Sequence, residues 1–343
     1  MSALTLEDIA RRAGVSRSTA SRVVNHQPYV SEDARKRVQR VIQETGYRPH
    51  AAARALASQR SRMIGLIVPK TVSTLFTDTF YPRLTQGIAS ACNEINYTLS
   101  LFLVSTREDE EGIFPRVARK GFLDGLLVQS GQIGDKLIEK LMKVDIPLVV
   151  IGRPFRSEGV TYVDVDNVEA ACKAVHYLIS LGYERIGTIA GPSNTTVGID
   201  RLEGYLKALK DNRFSVDESL IVESDFTEQE GFQAMQKLLP AKPRAVFAAS
   251  DIIALGAMRA VRETGLKVPG DVAFVGFDDQ PLPAGSDPLL TTIRQPVSRL
   301  GCRAVEALID LIDNENDPAR AIIMETQLIV RQSCGAGNYR REI

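Results

Sequence analysis

The chain has 343 residues, enough for two to three domains at roughly 150 residues each, and its 44% hydrophobic and 24% charged residues are ordinary for a globular protein with a sizeable core. No run reaches the roughly 18 apolar residues of a membrane-spanning helix, and the N-terminus MSALTLEDIARRAGVSRSTA lacks the apolar stretch of a secretory signal, so a cytoplasmic protein is expected. The formal net charge is zero, but residues 1–62 hold 12 Lys and Arg against 5 Asp and Glu, while the remainder holds 30 against 37; a basic head on an acidic body predicts a polyanionic partner for the head. The elements begin at Thr5-Leu6-Glu7-Asp8, which reads as a helix N-cap resembling a capping box. Leu6, Ile9, Ala10 and Ala13 then form one apolar stripe, and Gly14 ends the helix. Val15 fills the turn and Ser16 can cap a second helix whose buried side is Ala20, Val23 and Val24. Its other side keeps Arg17, Ser18, Thr19, Ser21, Arg22 and Asn25. A third helix runs from the cap Ser31 through Ala34, Val38, Val41 and Ile42 to Gly46.

Two short helices joined by a Gly turn predict a helix-turn-helix. Such a second helix can enter the DNA major groove, with arginines for guanine and hydroxyls or amides for phosphates. Next, Tyr47-Arg48-Pro49-His50 leads into the Ala-rich AAARALAS, a helix too short to be stable alone in water. Leu56, its one large apolar residue, stands near Arg54 and has no evident core partner, as a minor-groove wedge requires.

From Met63 onward, apolar strands alternate with helices: MIGLIV, TLSLFLV, GLLVQ, PLVVIG, YVDVD, RIGTIAG, RAVFAAS and VAFVGF, then TTIRQ and IIMETQLIV around a helix at 296–313. The pattern predicts parallel sheets covered on both faces, better divided into two doubly wound sheets than one. Ligands of such sheets bind beyond the carboxyl ends of the strands. Polar and aromatic residues just after strands are therefore candidates: Phe80-Tyr81, Ser105, Gln129-Ser130, Arg153, Asp164, Asp166-Asn167, Arg201, Asp225-Phe226, Ser250-Asp251 and Asp278-Asp279. Arginine and aspartate beside an aromatic suit a hydroxyl-rich ring.

The blocks LEDIARRAGVSRSTASRVVN, VSEDARKRV, GYRPHAAARALAS and RMIGLIVP resemble the LacI/GalR family of bacterial transcription regulators, and the similarity runs from residue 4 to about residue 333. The resemblance implies an all-α helix-turn-helix DNA-binding head (1–46), a hinge helix and linker (47–62), and a two-lobed α/β body like periplasmic binding proteins. The expected lobes are 63–160 with 294–321, and 161–293 with 322–335. It implies a homodimer reading a pseudo-palindromic double-stranded DNA operator, a repressor controlled by a small-molecule effector, in particular a sugar or sugar derivative, and no cofactor. Arg17, Ser18 and Arg22 fall at base-reading places. Thr5, Ser16, Thr19, Ser21, Asn25, Tyr47 and Arg54 join the DNA set, and Leu56 matches the wedging leucine. Phe80, Ser105, Arg153, Asp166, Arg201, Phe226, Ser250, Asp251 and Asp278 are the effector-binding candidates. Three departures stand out: Ala20 where valine is usual, Ser250 where asparagine is usual, and the longer stretch KTVSTLFTDTFY at 70–81.

No P-loop, H-E-x-x-H, G-x-S-x-G or G-x-G-x-x-G occurs, so an enzyme of sugars or phosphosugars on the same scaffold is the weaker alternative. A sugar carrier would need export. Cys92, Cys172, Cys302 and Cys334 are far apart with no zinc-type spacing and read as reduced thiols; His176 reads as structural, and Asp164-x-Asp166 is a weak metal signal. The polar tail SCGAGNYRREI has no heptad, which argues against a tetramer built on a terminal coiled coil.

Overall fold

The computed structural model describes residues 4–24, 27–47, 60–69, 78–129, 131–134, 136–156, 158–281, 287–314 and 317–336. The chain forms two compact units, Met1–Arg62 with Lys120–Leu123, and Met63–Arg119 with Asp124–Ile343. The expected hinge helix, with Arg54 and Leu56, lies outside the described residues, as do Asn25 and residues 70–77 of the 70–81 stretch.

The head holds α1 (Leu6–Ala13), α2 (Arg17–Val24) and α3 (Glu32–Thr45). Each expected punctuation point acts as such. Thr5 accepts a hydrogen bond from Asp8 N while the Asp8 carboxylate accepts from Thr5 N, a complete capping box. Gly14 and Gly46 end α1 and α3 at φ 60° and 62°, where a side chain would be strained. Ile9, Ala10, Ala13, Ala20, Val23, Val38 and Val41 meet in one small core, with Leu6, Val15, Val30, Ile42 and Tyr47 packed around it. The small Ala20 side chain is fully buried there.

The body begins with β1 (Met63–Val68), α4 (Phe80–Glu94), β2 (Thr98–Leu103), α5 (Arg107–Val117), β3 (Gly125–Gln129), α6 (Leu137–Leu141), β4 (Leu148–Ile151) and β5 (Thr161–Val165). It continues with α7 (Asn167–Ser180), β6 (Ile186–Ala190), α8 (Thr196–Asp211), β7 (Ile221–Glu223), α9 (Glu228–Leu238), β8 (Ala245–Ala248), α10 (Asp251–Glu263) and β9 (Ala273–Asp278). It closes with β10 (Thr291–Arg294), α11 (Val297–Asp313), β11 (Ala321–Met324) and β12 (Gln327–Ile329). Two six-stranded sheets result, in the orders β11-β5-β4-β3-β1-β2 and β12-β10-β9-β8-β6-β7. Among the described strands, every pairing is parallel except β10 with β12. Strands such as β4, buried along its whole length, carry apolar residues in both directions because helices cover both faces.

Within each sheet the first five strands repeat one doubly wound order, in which the second strand lies outside the first and the third on its other side. The chain direction therefore switches between β1 and β3, and again between β6 and β8, leaving a crevice at the carboxyl ends of both sheets. Three connections join the lobes: β5 to α7, β10 to α11, and β11 to β12. The helix α11 packs in the core of the first sheet, through Val297, Leu300, Ala304, Val305, Ala307 and Leu308. It approaches α4 so closely that a Cβ on Gly87 would stand 2.0 Å from the Ser298 carbonyl oxygen.

Two expectations about the body shift. The lobe boundary expected at residue 160 falls after Val165, because β5 pairs with β4 and β11 in the first sheet. Apolar periodicity marks β5 as a strand but cannot say which sheet accepts it. The single strand expected over IIMETQLIV is two strands, one in each sheet, broken at Glu325-Thr326. The three-residue β7 was not foreseen; IVE is too short to show a period.

Candidate nucleic-acid interface and ligand cleft

In the head, α2 buries Ala20 and Val23, which leaves Arg17, Ser18 and Arg22 exposed, with Thr19 and Ser21 half-buried. The Ser16 hydroxyl accepts a hydrogen bond from Thr19 N at 3.1 Å and lies 2.8 Å from the Ser18 and 2.9 Å from the Thr19 hydroxyl. Hydroxyls thus gather at the start of a helix, where backbone N–H groups favour phosphate. Arg17 lies 3.6 Å from Glu7, an exposed pair that holds it only loosely. Thr5 is exposed, its hydroxyl engaged in the capping box, and Tyr47 packs on the head core. Tyr29, in the loop before α3, is 93% exposed at φ 67°. Nothing in the linear pattern distinguished it from a core aromatic.

In the body, a cleft of about 750 Å³ including its open mouth lies at the carboxyl ends of both sheets. Asp78, Phe80, Tyr81, Gln129, Ile151, Arg153, Val163 and Asp164 line it from the first lobe. Thr196, Val197, Arg201, Phe226 and Asp278 line it from the second, with Asn167 and Gln295 at the connections. Of the nine effector candidates, the cleft brings together Phe80, Arg153, Arg201, Phe226 and Asp278. Gly191 makes room for the Phe226 ring, which a Cβ there would meet at 2.6 Å.

Ser105, Asp166, Ser250 and Asp251 do not line the cleft. Ser105 is exposed after β2 and its N–H donates to Asp109. Asp166 caps α7 by accepting from Glu169 N. Ser250 caps α10 through Ile253 N. Asp251 is buried between Thr292 Oγ1, 2.6 Å from its carboxylate, and Gln280 N at 2.8 Å. The Ser250 departure therefore concerns a helix cap rather than the cleft wall. Asp78, Thr196, Val197, Gln295 and Leu300 are cleft residues that strand-end reasoning missed. They sit on loops and helix starts, whose spacing carries no strand signal.

Arg201 is the centre of the polar network. It is 4% exposed; its Nε donates to Asn167 Oδ1 at 3.0 Å and its Nη1 to the Ala249 carbonyl at 2.5 Å. Its Nη2 lies 3.3 Å from Asp278 Oδ1, and the guanidinium stacks 3.6 Å from the Phe277 ring centre. Gln295 Nε2 donates to the same Asp278 Oδ1 at 2.6 Å. Asp278 and Asp279 adopt φ 111° and 50°, an uncommon backbone for non-glycine residues that neighbouring contacts must hold. Asp279 receives Arg294 Nε and Arg331 Nη2, both at 2.6 Å. Across the mouth, Arg153 makes a bidentate pair with Asp200 at 2.9 and 2.5 Å. Thr196 there donates to the carbonyls of Arg153 and Gly131, both at 2.7 Å. These contacts link the two lobes directly.

The head matches the profile of bacterial regulatory proteins of the lacI family over residues 5–50, and residues 175–334 match the periplasmic binding protein-like domain. The transcriptional regulator CelR of Thermobifida fusca is 38% identical over 333 residues, 96% of this chain and 98% of the relative. The chain belongs to the LacI family.

The HTH-type transcriptional repressor PurR of Escherichia coli O139:H28 is 34% identical over 340 residues, 98% of each chain. The CelR–cellobiose complex aligns with a TM-score of 0.77 at 36% identity, covering 96% of this chain and 99% of that one. The lac repressor dimer bound to operator and the anti-inducer ONPF aligns at 0.84 with 27% identity, covering 97% and 99%. This LacI-family chain is a DNA-binding transcriptional regulator, with the expected helix-turn-helix head and two-lobed body. Among the described residues, no helix is long and apolar enough to cross a membrane.

Two cleft carboxyls have shifted acidity. Burial pushes Asp164 up to about 6, against the hydrogen bonds it accepts from Val165 N and Arg153 N. Burial also pushes Asp278 up to about 6, with the Arg201 guanidinium pulling it back. A folded-state value above the ordinary 3.8 means that the folded protein binds the extra proton between about pH 4 and 6. The Asp164 contribution is therefore fully present below pH 4 and is lost as pH rises through 6. Relative to Asp164→Asn, the wild type is expected to lose at most about 3 kcal/mol across that window in urea unfolding. Parallel pH profiles for the two proteins would refute the shift.

Proposed function

We propose that the cleft binds an uncharged, hydroxyl-rich ring of the sugar class, and that this ligand sets the affinity of a dimeric repressor for a pseudo-palindromic operator. The observation that carries the ligand class is that both cleft arginines are committed to carboxylates, Arg153 to Asp200 and Arg201 to Asp278. No cation among the described lining residues is left over for a phosphate, while Asp78 and Asp164 add negative charge. A phosphorylated ligand would meet repulsion in a confined, weakly screened site. Gln129 supports the same reading: its Oε1 is buried without a partner at the cleft wall, an acceptor suited to a ligand hydroxyl. Phe80 and Phe226 supply apolar surface for a sugar face. The relatives named above bring the precedents, a cellobiose complex and an operator complex. Binding without turnover, in the cytoplasm, is part of the proposal. The three lobe connections give the ligand a lever: lobe closure alters what the first lobe presents to the linker, and the coupling is reciprocal.

The test is a thermal-shift series with mono- and disaccharides, their phosphates and purines, followed by operator titration with each hit. A neutral sugar is expected to raise the melting temperature with concentration, to change operator affinity, and to be recovered unchanged. Tighter binding of a sugar phosphate than of its neutral parent would overturn the ligand class, and conversion of the sugar would favour the enzyme alternative.

A further inference from the structure

Between α7 and α8 lies a cluster that neither the head nor the cleft uses. Cys172 and His176 are one turn apart on α7, and Asp211 ends α8. One donor atom from each of the three lies within 4.8 Å of the other two. The spacing Cys172-x-x-x-His176 is not a zinc-finger spacing, and the third donor comes from another helix, so nothing in the linear sequence announces the group.

The distances suit a metal. Cys172 Sγ lies 3.5 Å from His176 Nδ1. A tetrahedral ion about 2.3 Å from sulfur and about 2.0–2.1 Å from nitrogen separates those atoms by about 3.5 Å. The cluster also already attracts a cation: Lys207 Nζ stands 3.5 Å from Cys172 Sγ, 3.3 Å from Asp211 and 3.4 Å from Glu169. Thiol, imidazole and carboxylate together favour a borderline-soft ion over magnesium or calcium. Burial is graded from Cys172, buried, through His176 to Asp211, exposed, so the site opens outward.

We propose that Cys172, His176 and Asp211 bind zinc or a chemically similar divalent ion once Lys207 turns out into solvent. The Lys207 side chain is already 44% exposed and can do so without unfolding either helix. On binding, the Cys172 thiol proton passes to solvent and the thiolate, the neutral imidazole and the Asp211 carboxylate form three bonds to the ion. Water or Glu169 fills the fourth position. Such an ion clamps α7 to α8, the helices that present Asn167, Asp200 and Arg201 at their other ends.

The full-length reduced protein is titrated with cobalt(II) as the probe and then with zinc. Expected is a thiolate-to-cobalt charge-transfer band at one equivalent, displaced by zinc. Cys172→Ala is expected to abolish the band and His176→Ala to weaken binding. Lys207→Gln, which removes a competing positive charge from the cluster, is expected to tighten binding by about 10-fold. His176 and Lys207 are not buried, so their variants test the site even if Cys172→Ala folds poorly. No band in either the wild type or Lys207→Gln overturns the site. So does a band retained in Cys172→Ala, or weaker binding in Lys207→Gln.

Discussion

Arg201→Ala is expected to remove the ligand response of operator binding and to lower the free energy of unfolding by about 3–5 kcal/mol, the usual cost of breaking a buried charge pair. The variant loses more than an attraction. Asp278 keeps a buried charge without its guanidinium, and Asn167 Oδ1 and the Ala249 carbonyl lose their donor. Each such orphan costs about 1–3 kcal/mol. Protonation of Asp278, already pushed up to about 6, limits the total and makes the loss smaller in mild acid. Arg201→Lys separates charge from shape, because it keeps the cation and loses the planar fork that meets three partners. Urea unfolding reads the stability, and operator titration with and without ligand reads the response. A destabilised variant that still responds fully would leave Arg201 a structural residue only.

Arg22→Ala is expected to relax operator specificity at one base pair per half-site by about 1–3 kcal/mol, with little change in the head's stability. The side chain is exposed on α2, opposite Ala20 and Val23, and alanine favours helix. Arg22 has no carboxylate partner among the described salt bridges, whereas Arg17 leans toward Glu7. The measurement is a titration of an operator selected from random DNA and its single-position variants, at matched salt. An equal loss on all sequences, with a shallower salt dependence, would make Arg22 a phosphate contact instead.

Much of this protein was legible in its residues. The head could be read almost atom by atom, because its signals are local: Thr5 and Ser31 cap, Gly14 and Gly46 stop, and the stripes of α1 to α3 bury within a few turns of one another. The body's strands were legible for the same reason, since apolar runs bounded by turns need no partner to be recognised. Residues such as Arg201 and Asp278 could be named from strand ends and family resemblance, and they do face the cleft.

Only the tertiary structure decided where that reading reached across the chain. It assigned β5 to the first sheet, split 321–329 between two sheets, and turned Ser250 and Asp166 into helix caps. It paired both cleft arginines with acids, Asp200 and Asp278, that lie 47 residues from Arg153 and far along the chain from Arg201. It also set Cys172 and His176 beside Asp211. Caps, stripes and turns are specified by neighbours a few residues apart. Sheet membership, charge pairing and donor clusters depend on which surfaces meet when the whole core closes, and no local periodicity encodes that.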